Sequence, residues 1–227
     1  MYGEYDKSVG PKIALTTLHA LGLCVSAWLL LGNGLAVLAR WTGRGFVPGH
    51  PINRALVFAC GAVYFARICF TSFYLIKRKF GWGEAVGVGL YAACVHGFFA
   101  FLGSMNLKPL GWLTYVAAFV YFLGSYLNTV SEFLRKRWKE DSRHRGQLYT
   151  EGLFRYSRHI NYFGDELLFI GYALLTGSLW ALIVPALMVF GFTFVNIPML
   201  EAYLEKKYGA EFEAYALRTK KFVPYVY

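Results

Sequence analysis

Two Asn/acid pairs, Asn128 with Glu132 and Asn161 with Asp165, are where this sequence first offers chemistry. Residues four apart share a helix face, so each pair would present an amide beside a carboxylate. The second pair lies in Gly152-Leu-Phe-Arg-Tyr-Ser-Arg-His-Ile-Asn-Tyr-Phe-Gly-Asp165, a polar stretch that runs straight into an apolar span. A polar group entering hydrocarbon is costly unless something satisfies it. Asn161, Asp165 and Glu166, at the mouth of that span, are therefore expected to face protein, water or a ligand. Arg135, Lys136, Arg137, Lys139, Arg143, Arg145, Arg155 and Arg158, with His159, form a basic stretch joining the two pairs. Carboxylates and amides suit ribose hydroxyls and an amide-bearing ring, and guanidinium forks suit phosphates. That set fits a dinucleotide phosphate, held without the glycine motifs of a Rossmann site or a P-loop, neither of which occurs here. Plainer readings stand beside it. Arg135 and Lys139 would anchor a helix end among lipid headgroups, and the helix dipole alone favours Asp165 near an N-terminus.

A further constellation is Tyr64 with Arg67, inside an apolar span. An Arg at that depth has to be paired or near water, and a Tyr one turn away can donate a proton or orient a carbonyl. The plainer reading is an interfacial Tyr and a snorkelling Arg. His96 and Asn106 are weaker polar candidates. A lone His in a span is more often packing than catalysis.

The elements that must position these groups are membrane helices. Hydrophobic residues make up 57% of the 227, and mean hydropathy is +0.41. Both exceed what a soluble domain usually carries. The 17 Tyr and 6 Trp gather near span ends, as interfacial belts do. The pattern predicts an all-α integral membrane protein with six spans: Ile13–Leu38 with a kink at Gly32-Asn33-Gly34, Arg54–Ile76, Glu84–Leu102, Leu110–Leu134, Tyr162–Leu175 and Leu179–Pro198. Thr176-Gly-Ser forms a tight turn, and a break at Gly209 separates a last amphipathic helix that Pro224 stops. The chain reads as one membrane domain, 1–227, with substrate-side spans in 1–123 and a cofactor-binding half in 124–227. The N-terminal residues lack the pattern of a cleavable leader.

The net charge of +10 reads as positive loops kept on the cytoplasmic side rather than as nucleic-acid binding. With six spans, Lys77–Lys79, Arg135–Arg158 and the tail with Lys206, Lys207, Lys220 and Lys221 share that side. Arg40, Arg44 and Arg54 fall opposite and break the rule, which a re-entrant element between Trp41 and Pro51 would explain. Cys24, Cys60, Cys69 and Cys94 lie in apolar spans without ligand spacing, so neither disulfides nor a metal site is expected.

The C-terminal half resembles the steroid 5-alpha-reductase superfamily, membrane-embedded NADPH-dependent reductases, and within it an uncharacterised bacterial-type branch. Gly152-Leu-Phe-x-Tyr156…Asn161-x-x-Gly164-Asp165 is similar to the family's Gly-Leu-Phe…Asn-x-x-Gly-Glu, and Asn128-x-x-x-Glu132 to its Asn-x-x-x-Asp. The closing Phe222-Val-Pro-Tyr-Val-Tyr is similar to Ile-Pro-Phe-Ile-Phe. The resemblance implies that Asn128, Glu132, Asn161 and Asp165, with Tyr156 and the nearby Arg135, Lys139, Arg143, Arg145 and Arg158, bind NADPH from the cytosolic side. It also implies that a lipophilic substrate enters from the membrane lipid for reduction of an activated C=C bond. Tyr64-Phe-Ala-Arg67 is similar to Tyr-Phe-His-Arg, whose Tyr lies beside the substrate carbonyl. The family's Glu partner for that Tyr is absent, and Asn33 is the nearest polar residue of the first span around Trp28–Asn33.

Arg158-His159-x-Asn-Tyr, Glu201 and the later Tyr-Gly-x-x-Phe-x-x-Tyr also resemble isoprenylcysteine carboxyl methyltransferases and phospholipid methyltransferases. That resemblance implies S-adenosylmethionine held by Arg158, His159 and Glu201. A non-enzymatic scaffold or transporter is the third reading, and the density of polar groups at one face argues against it.

Overall fold

A computed structural model describes residues 6–227 as helices joined by loops, with no strand among them. The helices are α1 (Val9–Leu30), α2 (Gly34–Thr42), α3 (Pro51–Phe70), α4 (Trp82–Gly103), α5 (Trp112–Glu140), α6 (Ile160–Leu175), α7 (Ile183–Gly191), α8 (Ile197–Tyr208) and α9 (Ala210–Arg218). A π-helical turn, Thr71–Leu75, extends α3, and another, Phe192–Asn196, joins α7 to α8 in one rod.

Among the described residues five segments are long and apolar enough to cross a membrane: Val9–Leu30, Pro51–Leu75, Trp82–Gly103, Trp112–Glu140 and Leu179–Tyr208. Large apolar side chains such as Leu21, Phe119, Leu187 and Phe190 remain exposed on them, as helices facing lipid require. This is a multi-pass membrane protein. The expected first span is cut short at Gly32-Asn33-Gly34, where only glycine fits against Trp28. A Cβ on Gly32 or Gly34 would lie 2.9 or 2.8 Å from the Trp28 carbonyl oxygen, and Trp28 Nε1 donates to Asn33 Oδ1. The helix breaks there and restarts as α2. The expected re-entrant element is not helical, since no helix covers Gly43–His50. The expected fifth span, α6, has only 16 residues, about 24 Å at 1.5 Å per residue, short of the hydrocarbon thickness. The break at Gly209 is present, with that residue at φ +51° between α8 and α9.

The chain divides into two compact units, 1–119 with 171–184, and 120–170 with 185–227. In the first, α1 and α4 pack in parallel at small residues. A Cβ on Gly22 would lie 2.5 Å from the Ala93 Cα, and one on Gly89 would meet Leu18 and Leu15. Lys12 Nζ closes the end of the α3 extension by donating to the Ile76 carbonyl. Asn106 ties loops together: its carbonyl accepts from His50 N, Oδ1 from Lys108 N, and Nδ2 donates to Leu175 O. Its polar groups are thus engaged with the loops. The tight turn after α6 forms as expected, with Gly177 at φ +73°.

In the second unit α5 and α6 cross at two glycines. A Cβ on Gly124 would come 2.3 Å from Leu168 N and 2.4 Å from Gly164 O, and one on Gly164 would come 2.6 Å from Asn128 N. Tyr215 on α9 donates its hydroxyl to Phe154 O, and Leu148 N donates to Glu211, so α9 is held against the loop between α5 and α6. Backbone on both sides of the crossing cannot yield to a methyl group. Gly124→Ala and Gly164→Ala are each expected to lower stability by roughly 1–3 kcal/mol, the ordinary cost of overpacking, read as a fall in melting temperature in detergent.

Candidate functional site

The glycine crossing in the second unit brings the two Asn/acid pairs together as one cluster. Asn128, buried on α5, donates from Nδ2 to Asp165 Oδ2 at 2.9 Å and to the Asn161 carbonyl at 3.0 Å. Asn161 therefore contributes backbone to this contact, and the first amide meets the second acid. One turn along α5, Glu132 accepts from Arg135, whose guanidinium also lies 5.4 Å from the Phe154 ring. Next to Asp165 on α6, Glu166 is buried. Glu132 Oε1 and Glu166 Oε2 are buried with no hydrogen-bond partner among the described residues. An ionised carboxyl oxygen left so lacks a donor, and a protonated one can also donate, so either form calls for a hydrogen-bonding partner.

A second cluster fastens the segment before α6 to α8 and the tail. Glu201 Oε1 accepts from Arg158 Nε at 2.9 Å and lies 3.2 Å from His159 Nε2, while Oε2 lies 3.5 Å from Lys221 Nζ. Arg158 Nη1 also donates to the Ala216 and Thr219 carbonyls. Arg158 N and His159 N donate to the Lys220 and Lys221 carbonyls, and the Ser157 hydroxyl reaches Phe222 O. His159, Tyr162 and Phe192 stack with nearly parallel rings, at 5.6 and 4.7 Å between neighbouring centroids. Sequence reasoning placed Arg158 among phosphate ligands. Here its guanidinium bonds an acid and two carbonyls of its own chain.

The remaining basic residues divide by partner. Arg143 is exposed and bonds Asp141, whose carboxyl it holds down to about 2. Lys139 Nζ donates to Gln147 O and the Tyr208 hydroxyl. Arg145 is exposed. Arg155 and Arg218 line a cavity of about 350 Å³ with Thr150, Glu151 and Thr219. Arg155 Nε donates there to Gly152 O, and Arg218 Nη2 to Thr150 Oγ1. Arg218 was not foreseen, because nothing in its local sequence marks it. Tyr156 is exposed, with its ring 5.8 Å from that of Tyr225.

The first unit holds its own polar centre. Tyr64 and Arg67 are both buried on α3, in line with Asn53, Val57, Cys60 and Gly61. Asn33, the nearest polar residue of the expected first span, accepts from Trp28 Nε1. The residue of α1 that packs on Tyr64 is His19, with ring centroids 4.6 Å apart, and His96 of α4 lies next to it. Sequence reasoning passed over His19, although a lone His in an uncharged span was the available signal.

A family model described as "Protein of unknown function (DUF1295)" matches residues 87–219, more than half of the chain. The chain belongs to this family. The matched segment contains Asn128, Glu132, Asn161, Asp165, Arg158 and Glu201, and leaves His19 and Tyr64 outside. Human 3-oxo-5-alpha-steroid 4-dehydrogenase 2 is 27% identical over 123 residues, covering 52% of this chain and 46% of that protein. The chain thus aligns with about half the length of this curated relative. Both findings support the steroid 5-alpha-reductase-like superfamily.

Removing one partner from a buried ion cluster leaves uncompensated charge. Glu201→Ala is accordingly expected to lower stability by about 3–5 kcal/mol, read from thermal unfolding. Burial holds the His159 pKa below its ordinary 6.5, outweighing the opposite pull of Glu201. The unfolded chain takes up a proton near that pH and the folded chain resists it, so acidification below it costs stability. His159→Gln should flatten this decline in melting temperature with falling pH, and an unchanged slope would exclude His159 as its source.

Proposed function

We propose that this protein is a membrane-embedded reductase that uses NADPH to reduce an activated C=C bond in a lipophilic substrate. The observation that carries the reading is the pair of buried, unpartnered carboxyl oxygens, Glu132 Oε1 and Glu166 Oε2, beside the Asn128–Asp165 bond. These oxygens fit ribose hydroxyls or a carboxamide, each of which can both donate to a carboxylate and accept from a protonated carboxyl. The cavity with Arg155 and Arg218 fits phosphate, which guanidinium forks recognise. The residues present therefore suit the cofactor by chemistry.

When bound, NADPH supplies a hydride; the protein's part is to hold it and to orient the substrate. Asn128 and Asp165 fix the α5–α6 crossing that presents Glu132 and Glu166. The Glu201 cluster holds the tail against the segment before α6. Tyr64 is assigned to the substrate carbonyl, where it polarises the oxygen or supplies a proton. The concentration of Lys and Arg around residues 135–158 and in the tail supports a cytoplasmic cofactor site and C-terminus.

A second reading, methyl transfer from S-adenosylmethionine to a lipid or prenylated acid, draws support from the meeting of Arg158, His159 and Glu201. The ligand decides between the two. NADPH should raise the melting temperature of the purified protein while S-adenosylmethionine leaves it unchanged. Glu132→Gln should weaken NADPH by on the order of tenfold, the loss of one charge-assisted hydrogen bond, read as a smaller NADPH-induced rise in melting temperature above the variant's own unliganded value. Stabilisation by the methyl donor alone would reverse the assignment.

A further inference from the structure

Three rings meet in the core of the first unit, one each from α1, α3 and α4. His19 and His96 are fully buried, and their Nε2 atoms lie 2.6 Å apart. The His19 ring centroid is 4.6 Å from that of Tyr64 and 4.7 Å from that of His96, while Tyr64 and His96 are 5.7 Å apart. Phe65 closes the edge of His19 at 5.3 Å. The small-residue packing of α1 on α4 forces the two imidazoles together, since Gly22 and Ala93, in contact, each lie three residues from one of them. Gly61, one turn before Tyr64, lets His96 Nδ1 and the Tyr172 hydroxyl approach the α3 backbone, where a Cβ would meet them at 3.1 and 2.7 Å.

Two ring nitrogens at hydrogen-bond distance need one N–H and one lone pair between them. If both rings are neutral, the donor carries its proton on Nε2 and the acceptor must carry its own on Nδ1. If the pair holds one more proton, both Nδ1 atoms carry one. Neither Nδ1 has a hydrogen-bond partner among the described residues. At least one imidazole N–H is therefore buried without an acceptor, a state that native cores avoid. Packing does not account for it, because two apolar side chains of similar size would fill the space without that penalty.

We propose that the His19–His96 pair donates a hydrogen bond to the carbonyl oxygen of a flat, lipophilic ketone or enone, forming with Tyr64 the substrate-carbonyl site of the first unit. The missing partner is an acceptor, and in an apolar surround a carbonyl supplies one without adding an unsatisfied donor of its own. This deepens the reductase reading, in which Tyr64 faces the substrate carbonyl. His19 then stands on the first span as the neighbour of Tyr64, a place where no acid is available.

The test uses the full chain in phosphatidylcholine nanodiscs with 15N-labelled histidine. Cholest-4-en-3-one is the probe, and cholest-4-ene, the same skeleton without the oxygen, is the control. The ketone should shift imidazole nitrogen resonances of His19 or His96 saturably, and the hydrocarbon should not. His19→Phe and His96→Phe should each abolish the ketone-induced rise in melting temperature. His96→Gln, which retains a donor, should keep a weaker rise and guards against a folding defect. Equal or absent responses to both probes would overturn the proposal. NADPH added to the same sample separates the two readings. Stabilisation by NADPH without a ketone response removes the histidine site alone, and a ketone response without stabilisation by NADPH removes the reductase assignment alone.

Discussion

A polar side chain on a helix surrounded by hydrocarbon must find a partner in protein, water or a ligand, and the central contacts of this molecule answer that constraint. Asn128 finds Asp165, Lys12 finds the Ile76 carbonyl, and Glu201 gathers Arg158, His159 and Lys221. Where the rule is met, the contact holds the fold together. Where it fails, at atoms that include Glu132 Oε1, Glu166 Oε2 and the two imidazole Nδ1 atoms, a ligand is best sought.

Meeting the constraint requires helices to approach closely, and small residues set how closely. Lipid solvates Leu as well as another helix does, so packing contact rather than hydrophobic burial holds such helices together. Gly124 and Gly164 bring α5 and α6 near enough for a short Asn to reach a short Asp. Gly22 with Ala93 does the same for α1 and α4, and there the consequence is the histidine contact. A glycine thus stands behind each of these two polar contacts.

Much of the site was legible locally. Asn128 and Asp165 drew attention because they are polar where the chain is apolar, and the structure joins them directly. The breaks at Gly32-Asn33-Gly34 and Gly209 follow from residue types that cannot continue a helix comfortably. The roles of the basic residues were not legible. Arg158 looks like a phosphate ligand from its neighbours, yet its partner Glu201 lies on α8, 43 residues further along the chain. Arg155 and Arg218 share a cavity although their sequence contexts have nothing in common.

Composition and periodicity by themselves determined that the chain is helical and membrane-spanning, because apolar runs of about 20 residues leave no other stable arrangement. They also determined where polar groups would be expensive. Which of those groups satisfy one another was decided only by the tertiary structure. His19 meets His96 across 77 residues, Asn128 takes the acid of the other pair, and Asn33 turns to Trp28. Hydrogen bonds form over about 3 Å, and no local pattern specifies which faces of distant helices will come within that range.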